Sequence, residues 1–282
     1  MIDVLLDALL DSLKALPFIF IIYVLMEVLE TVRNREKIEK ALRGSYAPVI
    51  ASFTGIVPEC GFSVMCAKLF DKGLIKVGTL VSAFLATSDE GLIILISNGV
   101  KFKDILIIVL IKIVYAILIG GIINIALKKF NIEHECSNHG ECIECGEESK
   151  GFLHNYVLHP LFHSLKIFIY LLVINIIFGS LIYFITEERF FEFINQNYYV
   201  QPIFSSIIGL IPNCASSIII SESYIKGALS LGGLISGLST NAGMGIIIIF
   251  RNKKNWKRGL AILLAMFVSG IIVGYLSMLM LG

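Results

Sequence analysis

The sequence predicts an all-α integral membrane protein built as two inverted-topology repeats. Each repeat has full-length helices, a short re-entrant helical hairpin and a broken helix. Three observations carry this: long apolar runs, their recurrence in two matching sets, and the uneven distribution of basic residues around them. Of the 282 residues, 56% are apolar and 16% charged, against about 45–50% and about 25% in a soluble domain. Mean hydropathy is +0.85. The charges cluster between runs that approach the roughly 20 residues needed to cross a bilayer. The net charge of +1 points to no partner and gives no reason to expect nucleic-acid binding.

The apolar runs are Leu16–Val32, Ala47–Pro58, Cys60–Phe70, Leu74–Ser97 and Ile105–Leu127, followed by a polar stretch. The second set is His163–Ile185, Pro202–Pro212, Cys214–Ile225, Ala228–Phe250 and Gly259–Leu281. Each set has one long run, two short ones and two more long ones, an internal repeat. This divides the chain into a first transmembrane repeat (1–130), a Cys/His-rich linker (131–162) and a second, inverted repeat (163–282). Upstream of the first run, Asp3, Asp7 and Asp11 stand where a signal peptide would carry Lys or Arg, so a cleaved signal is not expected.

The repeat is also visible in short motifs. Pro58-Glu59-Cys60-Gly61-Phe62-Ser63 lies between the first two short runs, and Pro212-Asn213-Cys214-Ala215-Ser216-Ser217 lies between the second two. Within the next long run, Thr87-Ser88-Asp89-Glu90-Gly91 answers Ser239-Thr240-Asn241-Ala242-Gly243. A dozen helical residues rise only about 18 Å, against about 30 Å of hydrocarbon. Pro58 and Pro212 disfavour helix at the preceding residue. Each short pair therefore reads as a re-entrant hairpin, with a single kinked span as the alternative. Backbone broken at that depth is tolerated only inside protein or beside a wet cavity.

Charge placement favours inversion. With the hairpin entering from inside, Arg33, Arg35, Lys37, Lys40, Arg43, Lys68, Lys72 and Lys76 are cytoplasmic, as are Lys128, Lys129, Lys150, Lys166 and the basic cluster Arg251–Arg258. Lys14, Lys101, Lys103, Arg189 and Lys226 fall outside. That is the positive-inside bias. It places the chain in the cytoplasmic membrane as a multi-pass protein, with a cytoplasmic central loop and both termini outside. The kinked-span alternative gives parallel repeats and a poorer charge distribution.

Inverted repeats with helices broken at mid-depth are the pattern of secondary transporters, which bind substrate at the breaks. The candidate transport site is Glu59, Cys60 and Ser63 on the first hairpin, Asn213, Cys214 and Ser217 on the second, and Ser88, Asp89, Glu90, Thr240 and Asn241 in the broken helices, with Ser216 alongside. Carboxylates at low dielectric call for a compensating cation, a proton relay or water. Glu59, Asp89 and Glu90 are the candidate relay. Cys66 has no counterpart and reads as packing. Glu27 and Glu30 read as solvated partners of Arg33. Lys112 is expected to snorkel or to pair with a carboxylate. In the linker, His134, Cys136, His139, Cys142 and Cys145 are spaced for a soft or borderline divalent ion. Zn²⁺ or the transported metal is the expected occupant. In the reducing cytosol a disulfide is the weaker reading. His154, His159 and His163 suit a solvated interface.

At these motifs the chain resembles the ten-helix heavy-metal exporters, also labelled arsenic efflux permeases or manganese transporters. The resemblance spans nearly the whole chain and rests on Pro58-Glu59-Cys60-Gly61-Phe62-Ser63, Pro212-Asn213-Cys214, Ser88-Asp89-Glu90-Gly91 and the Cys/His-rich linker. It implies export of a metal or metalloid, and a ten-helix count that includes the hairpin arms. The oxygen donors Asp89, Glu90, Glu59, Asn213 and Asn241 suit Mn²⁺, whereas Cys60 and Cys214 suit arsenite or softer cations. Neutral arsenite does not need three carboxylates, so a divalent transition cation ranks first and trivalent arsenic second. No cofactor is required. The chain has no G-x-x-x-x-G-K-[ST] motif for ATP, so proton antiport is the expected energy source. An anion or organic-solute transporter ranks lower, on the ground that no Arg or Lys lies near either break. A membrane enzyme ranks lower too: H-E-x-x-H is absent, and Cys142 and Cys145 lie in the loop. A channel remains an alternative. The expected partners are the metal ion and the bilayer, with a homodimer left open.

Overall fold

The computed structural model describes residues 44–56, 60–71, 73–87, 91–129, 197–251 and 256–281, together with isolated helical positions within 9–21 and 161–176. Every regular element among the described residues is helical. In the first half these are α1 (Ala47–Thr54), α2 (Cys60–Asp71), α3 (Val77–Ala86), α4 (Gly91–Ser97) and α5 (Phe102–Lys129). In the second half, a 3₁₀ turn (Tyr198–Val200) leads into α6 (Gln201–Gly209), α7 (Cys214–Ile225), α8 (Leu231–Thr240), α9 (Gly245–Arg251) and α10 (Trp256–Leu281).

The two sets share one spacing. Elements begin at 47 and 201, 60 and 214, 77 and 231, 91 and 245, and 102 and 256, each a step of 154 residues. This corrects the register read from the sequence at the breaks. Thr87–Gly91 corresponds to Asn241–Gly245, not to Ser239–Gly243. The resemblance between Thr87-Ser88 and Ser239-Thr240 is a chance match of small polar residues two positions out of step. The packing around Gly91 and Gly245 described below fixes the true register.

Local chemistry explains the turns. α2 and α7 both end in a Schellman arrangement around a glycine of positive φ, Gly73 (+70°) and Gly227 (+74°). There Leu74 N donates to Leu69 O at 2.8 Å, and Ala228 N to Ser223 O at 2.9 Å. A left-handed residue is needed at this position and glycine supplies it without strain. Pro48 and Pro202 open α1 and α6, where a missing N–H costs nothing.

Small residues then bring three helices of each repeat together. The Ser52 and Ser82 hydroxyls are 2.6 Å apart, and Ser82 Oγ lies 2.9 Å from Pro48 O. Ser206 and Ser236 repeat this at 2.6 Å, with Pro202 O at 2.8 Å. Such hydroxyl bonds tie helices in an apolar medium where no hydrophobic force separates helix from lipid, each worth about 0.6 kcal/mol on average. Next to them, a Cβ on Gly78 would meet Gly120 O at 2.2 Å, and one on Gly232 would meet Gly274 O at 2.6 Å. α3 therefore packs on α5, and α8 on α10, through glycine contacts.

The outer faces of α5 and α10 are apolar. Leu106, Leu110, Val114, Leu118 and Ile122 are exposed along α5, and Leu260, Leu264, Val268, Ile272 and Leu276 along α10. A water-facing helix would carry polar side chains at those positions, so these stripes face lipid. Among the described residues, four stretches are long and apolar enough to span a bilayer: 77–97, 102–128, 231–251 and 256–280. The first and third contain the breaks and are mostly buried, whereas the other two are mostly exposed.

The core does not respect the repeat boundary. One cluster joins Val64, Leu80, Phe84 and Ala116 of the first repeat to Met244, Ile246–Ile249, Ile262 and Met266 of the second. The other joins Ile220, Leu234, Ile235 and Leu238 of the second repeat to Leu92, Leu95, Ile105 and Ile108 of the first. Accordingly α9 packs on α2, and α4 on α7. After its break, each broken helix crosses over to the short arm of the other repeat.

The glycine contacts give a direct test. Gly78→Leu and Gly232→Leu should each destabilise the protein by about 1–3 kcal/mol through overpacking. Gly121→Leu, whose Cβ meets nothing within 4 Å, should be neutral. Thermal unfolding in detergent is the readout.

Candidate functional site

The crossing brings the second hairpin arms and the two breaks to one place. A Cβ on Gly91, the first residue of α4, would lie 2.7 Å from Leu238 Cδ2 and 3.3 Å from Ser217 Cβ. At Gly245, the first residue of α9, it would lie 2.8 Å from Phe84 Cε1 and 2.5 Å from Ser63 O. Ser63 and Ser217 are one repeat step apart, as are Phe84 and Leu238, so the two contacts are the same contact made twice. Ser221 Oγ donates to Gly91 O at 3.1 Å and adds a polar tie to the Gly91 contact.

The candidate residues divide as follows. Ser63 and Ser217 are fully buried in the first turns of α2 and α7. Asn213 is the N-cap of α7: its Oδ1 accepts from Ala215 N at 3.1 Å, satisfying one of the unpaired N–H groups of the first turn. Ser216 Oγ donates to Asn213 O at 2.7 Å. Asn241 caps the C-terminus of α8, and its Oδ1 accepts from Gly243 N at 2.9 Å. Its Nδ2 and the hydroxyls of Ser205 and Ser239 are buried without a hydrogen-bond partner. Buried polar groups rarely stay unpaired, so these donors are available to a bound species or water. Thr240 differs, because its hydroxyl donates back to Gly237 O at 3.0 Å and it packs against Gly209 and Gly270. Glu59, Ser88, Asp89, Glu90 and the linker residues His134, Cys136, His139, Cys142 and Cys145 lie outside the described residues, as do the side chains of Cys60 and Cys214. Among the described residues no cluster of three or more His, Cys, Asp or Glu occurs. Cys66 is buried in the core, in keeping with a packing role.

Lys112 has a place at the breaks that the sequence reading did not assign to it. Rather than snorkelling, it is 2% exposed. Its Nζ donates to Thr87 O at 2.7 Å and to Leu238 O at 2.8 Å. Thr87 is the C-cap of α3, and Leu238 lies in the last turn of α8. Carbonyls at a helix C-terminus lack intrahelical donors and carry the negative end of the helix dipole. One ammonium therefore bridges the interrupted end of a helix from each repeat. A lysine at a helix centre costs about 2.5–3.5 kcal/mol on the lenient insertion scale, and these bonds offset part of that. The argument that no Arg or Lys lies near either break is thereby overturned. The signal was in the sequence, since Lys112 is the lone charge between Ile105 and Leu127.

A family model described as "Putative, 10TM heavy-metal exporter" matches the chain over residues 1–185 and 162–280. The chain belongs to this family of ten-helix heavy-metal exporters. No curated protein and no solved structure matches it. As a member of this exporter family, the chain is a multi-pass transporter that handles metal in a lipid bilayer. The family resemblance read from the motifs is confirmed.

The two glycine cradles make a testable pair. Gly91→Ala and Gly245→Ala each force a Cβ into a neighbour from the other repeat. Each should lower stability by about 1–3 kcal/mol and depress metal transport. A thermal melt combined with a flux assay checks this, and a variant with parental values in both would contradict the crossing geometry.

Proposed function

We propose that this exporter moves a divalent transition-metal ion, Mn²⁺ first, by proton-coupled secondary transport across the cytoplasmic membrane. The site is formed where the two breaks meet the two short arms, which we take to be the tips of re-entrant hairpins in inverted repeats. The supporting observation is the doubled crossing contact, Gly91 with Ser217 and Gly245 with Ser63. It joins Gly91 and Gly245 to the first turns of α7 and α2, next in sequence to Glu59, Cys60, Ser88, Asp89, Glu90, Asn213, Cys214 and Asn241, the residues proposed for the site. Hard oxygens in that number suit Mn²⁺, and the carboxylates Glu59, Asp89 and Glu90 are the proton carriers. Substrate at the breaks of paired repeats is how secondary transporters alternate access. α1 and α2, at about 12 and 18 Å of rise, are too short to span separately, which supports the hairpins. The excess of Lys and Arg on one side supports inversion, with the central loop cytoplasmic and the termini outside. The linker residues His134, Cys136, His139, Cys142 and Cys145 are proposed to bind Zn²⁺ or the substrate metal.

Arsenite is the second reading. Asn241 Nδ2 and Ser239 Oγ are buried donors suited to an oxygen-rich species, and Cys60 and Cys214 are thiols suited to trivalent arsenic.

Flux into proteoliposomes of Mn²⁺, Zn²⁺, Fe²⁺, Cd²⁺ and arsenite separates the two. The oxygen-site reading expects Mn²⁺ flux that Asp89→Asn reduces by about 100-fold or more, the order seen when a charged group essential to one step is lost, while Cys60→Ser is mild. Flux should also respond to an imposed pH gradient. Arsenite or Cd²⁺ flux alone, abolished by Cys60→Ser, would establish a thiol site instead, and indifference to the pH gradient would remove proton coupling.

A further inference from the structure

Building on the transporter reading, though not on the choice of metal, we infer that Lys112 is a tethered substitute for a mobile coupling cation. Its ammonium occupies a carbonyl-lined monovalent-cation site shared by the two breaks, in the place that a mobile Na⁺ would otherwise take. Among the described contacts of its Nζ, Thr87 O and Leu238 O at 2.7 and 2.8 Å are both backbone carbonyls at interrupted helix ends. Unwound carbonyls and half-helix C-termini are the groups that coordinate Na⁺ in secondary transporters. They attract positive charge whether it arrives on a tether or from solution.

The repeat supplies an internal control. One step of 154 residues from Lys112 lies Met266, which is fully buried in the equivalent helix α10. α10 packs on α8 much as α5 packs on α3, so the helix pair forms equally well around a thioether. A lysine at this position is therefore not a requirement of the packing. Of these two equivalent positions, only Lys112 carries a charge, at the point where α5 reaches a carbonyl of each repeat. A tethered ammonium cannot leave, so the site stays occupied through the transport cycle and no Na⁺ need be carried. That agrees with protons as the coupling ion. Because Lys112 bonds to both repeats, relative movement of Thr87 and Leu238 must break or remake one of these bonds. The ammonium thus responds to the state of both breaks at once.

The test is cation dependence in a variant that empties the site. Purified full-length Lys112→Ala, Lys112→Met and wild-type protein are melted in choline, sodium and ammonium chloride at about 100 mM, and the same proteins are assayed for Mn²⁺ flux. A ligand that binds only the folded state raises its stability by mass action, and each kcal/mol moves a chain of this size by about 2–4 °C. The inference expects Na⁺ or NH₄⁺ to raise the melting point of Lys112→Ala by about 3 °C or more over choline, with no shift in wild type or Lys112→Met. It also expects flux of Lys112→Ala in choline to fall by about tenfold or more and to recover with the same cation. Should Lys112→Ala not be recoverable in a folded form, Lys112→Ser takes its place, being small, neutral and oxygen-bearing. Equal melting of the emptied variant in all three salts, or an equal Na⁺ shift in wild type, overturns the cation site and leaves Lys112 a purely structural bridge. Wild type without Mn²⁺ flux, alongside a cation-specific shift in the emptied variant, removes the Mn²⁺ reading and retains the cation site.

Discussion

The fold depends on close backbone approach at Gly91 and Gly245, where each broken helix resumes against the first turn of the other repeat's short arm. A Cβ at either position would lie under 3.0 Å from its neighbours, including a backbone oxygen at Gly245. Everything downstream follows from tolerating that approach. α4 and α9 are only 7 residues each, too short to be stable alone, and persist because each is held by the opposite repeat. Both core clusters are consequently mixtures of the two halves. Neither half can complete its core without the other, although each carries a full set of elements.

The crossing also decides the electrostatics of the site. α3 and α8 point their C-terminal carbonyls at it, while α2 and α7 begin there with their N-terminal N–H groups. Opposed helix ends let a small region of low dielectric hold groups of both signs, each near a complementary partial charge. Lys112 takes the carbonyl side and Asn213 caps an N-terminus. Donors still unsatisfied on Ser205, Ser239 and Asn241 show that the polar network of the described residues is incomplete, as expected of a site with something left to bind.

Much of this was legible in the sequence. The apolar runs, the prolines and the paired Pro-x-Cys motifs locate α2, α7 and both breaks, because each reports a local property: hydrophobicity, a missing N–H, a change in backbone. The crossover was not legible, because periodicity tells which face of a helix is buried but not which helix buries it. Nothing in Gly91-Leu92-Ile93-Ile94 names α7 as its partner. Register at the breaks was misread by two residues because Thr-Ser and Ser-Thr look alike, whereas the structural equivalence lies in two glycines. Lys112 was visible as a lone charge in an apolar run, yet two of its bonds go to backbone carbonyls, and backbone carbonyls leave no signature in a sequence. The carboxylates and thiols of the candidate site rest on their positions in the sequence, beside described helix ends.

The central claim is that two repeats of opposite orientation meet at one site. The turns at Gly73 and Gly227 are equivalent in the repeat, so inversion must place them on opposite sides of the membrane. Single cysteines at Lys76 and Lys226, in a background with the native cysteines replaced, can be probed in intact cells with a membrane-impermeant maleimide. The account predicts that Lys226→Cys is labelled from outside and Lys76→Cys only after the membrane is opened. Labelling of both from the same side would contradict inversion and with it the alternating-access site.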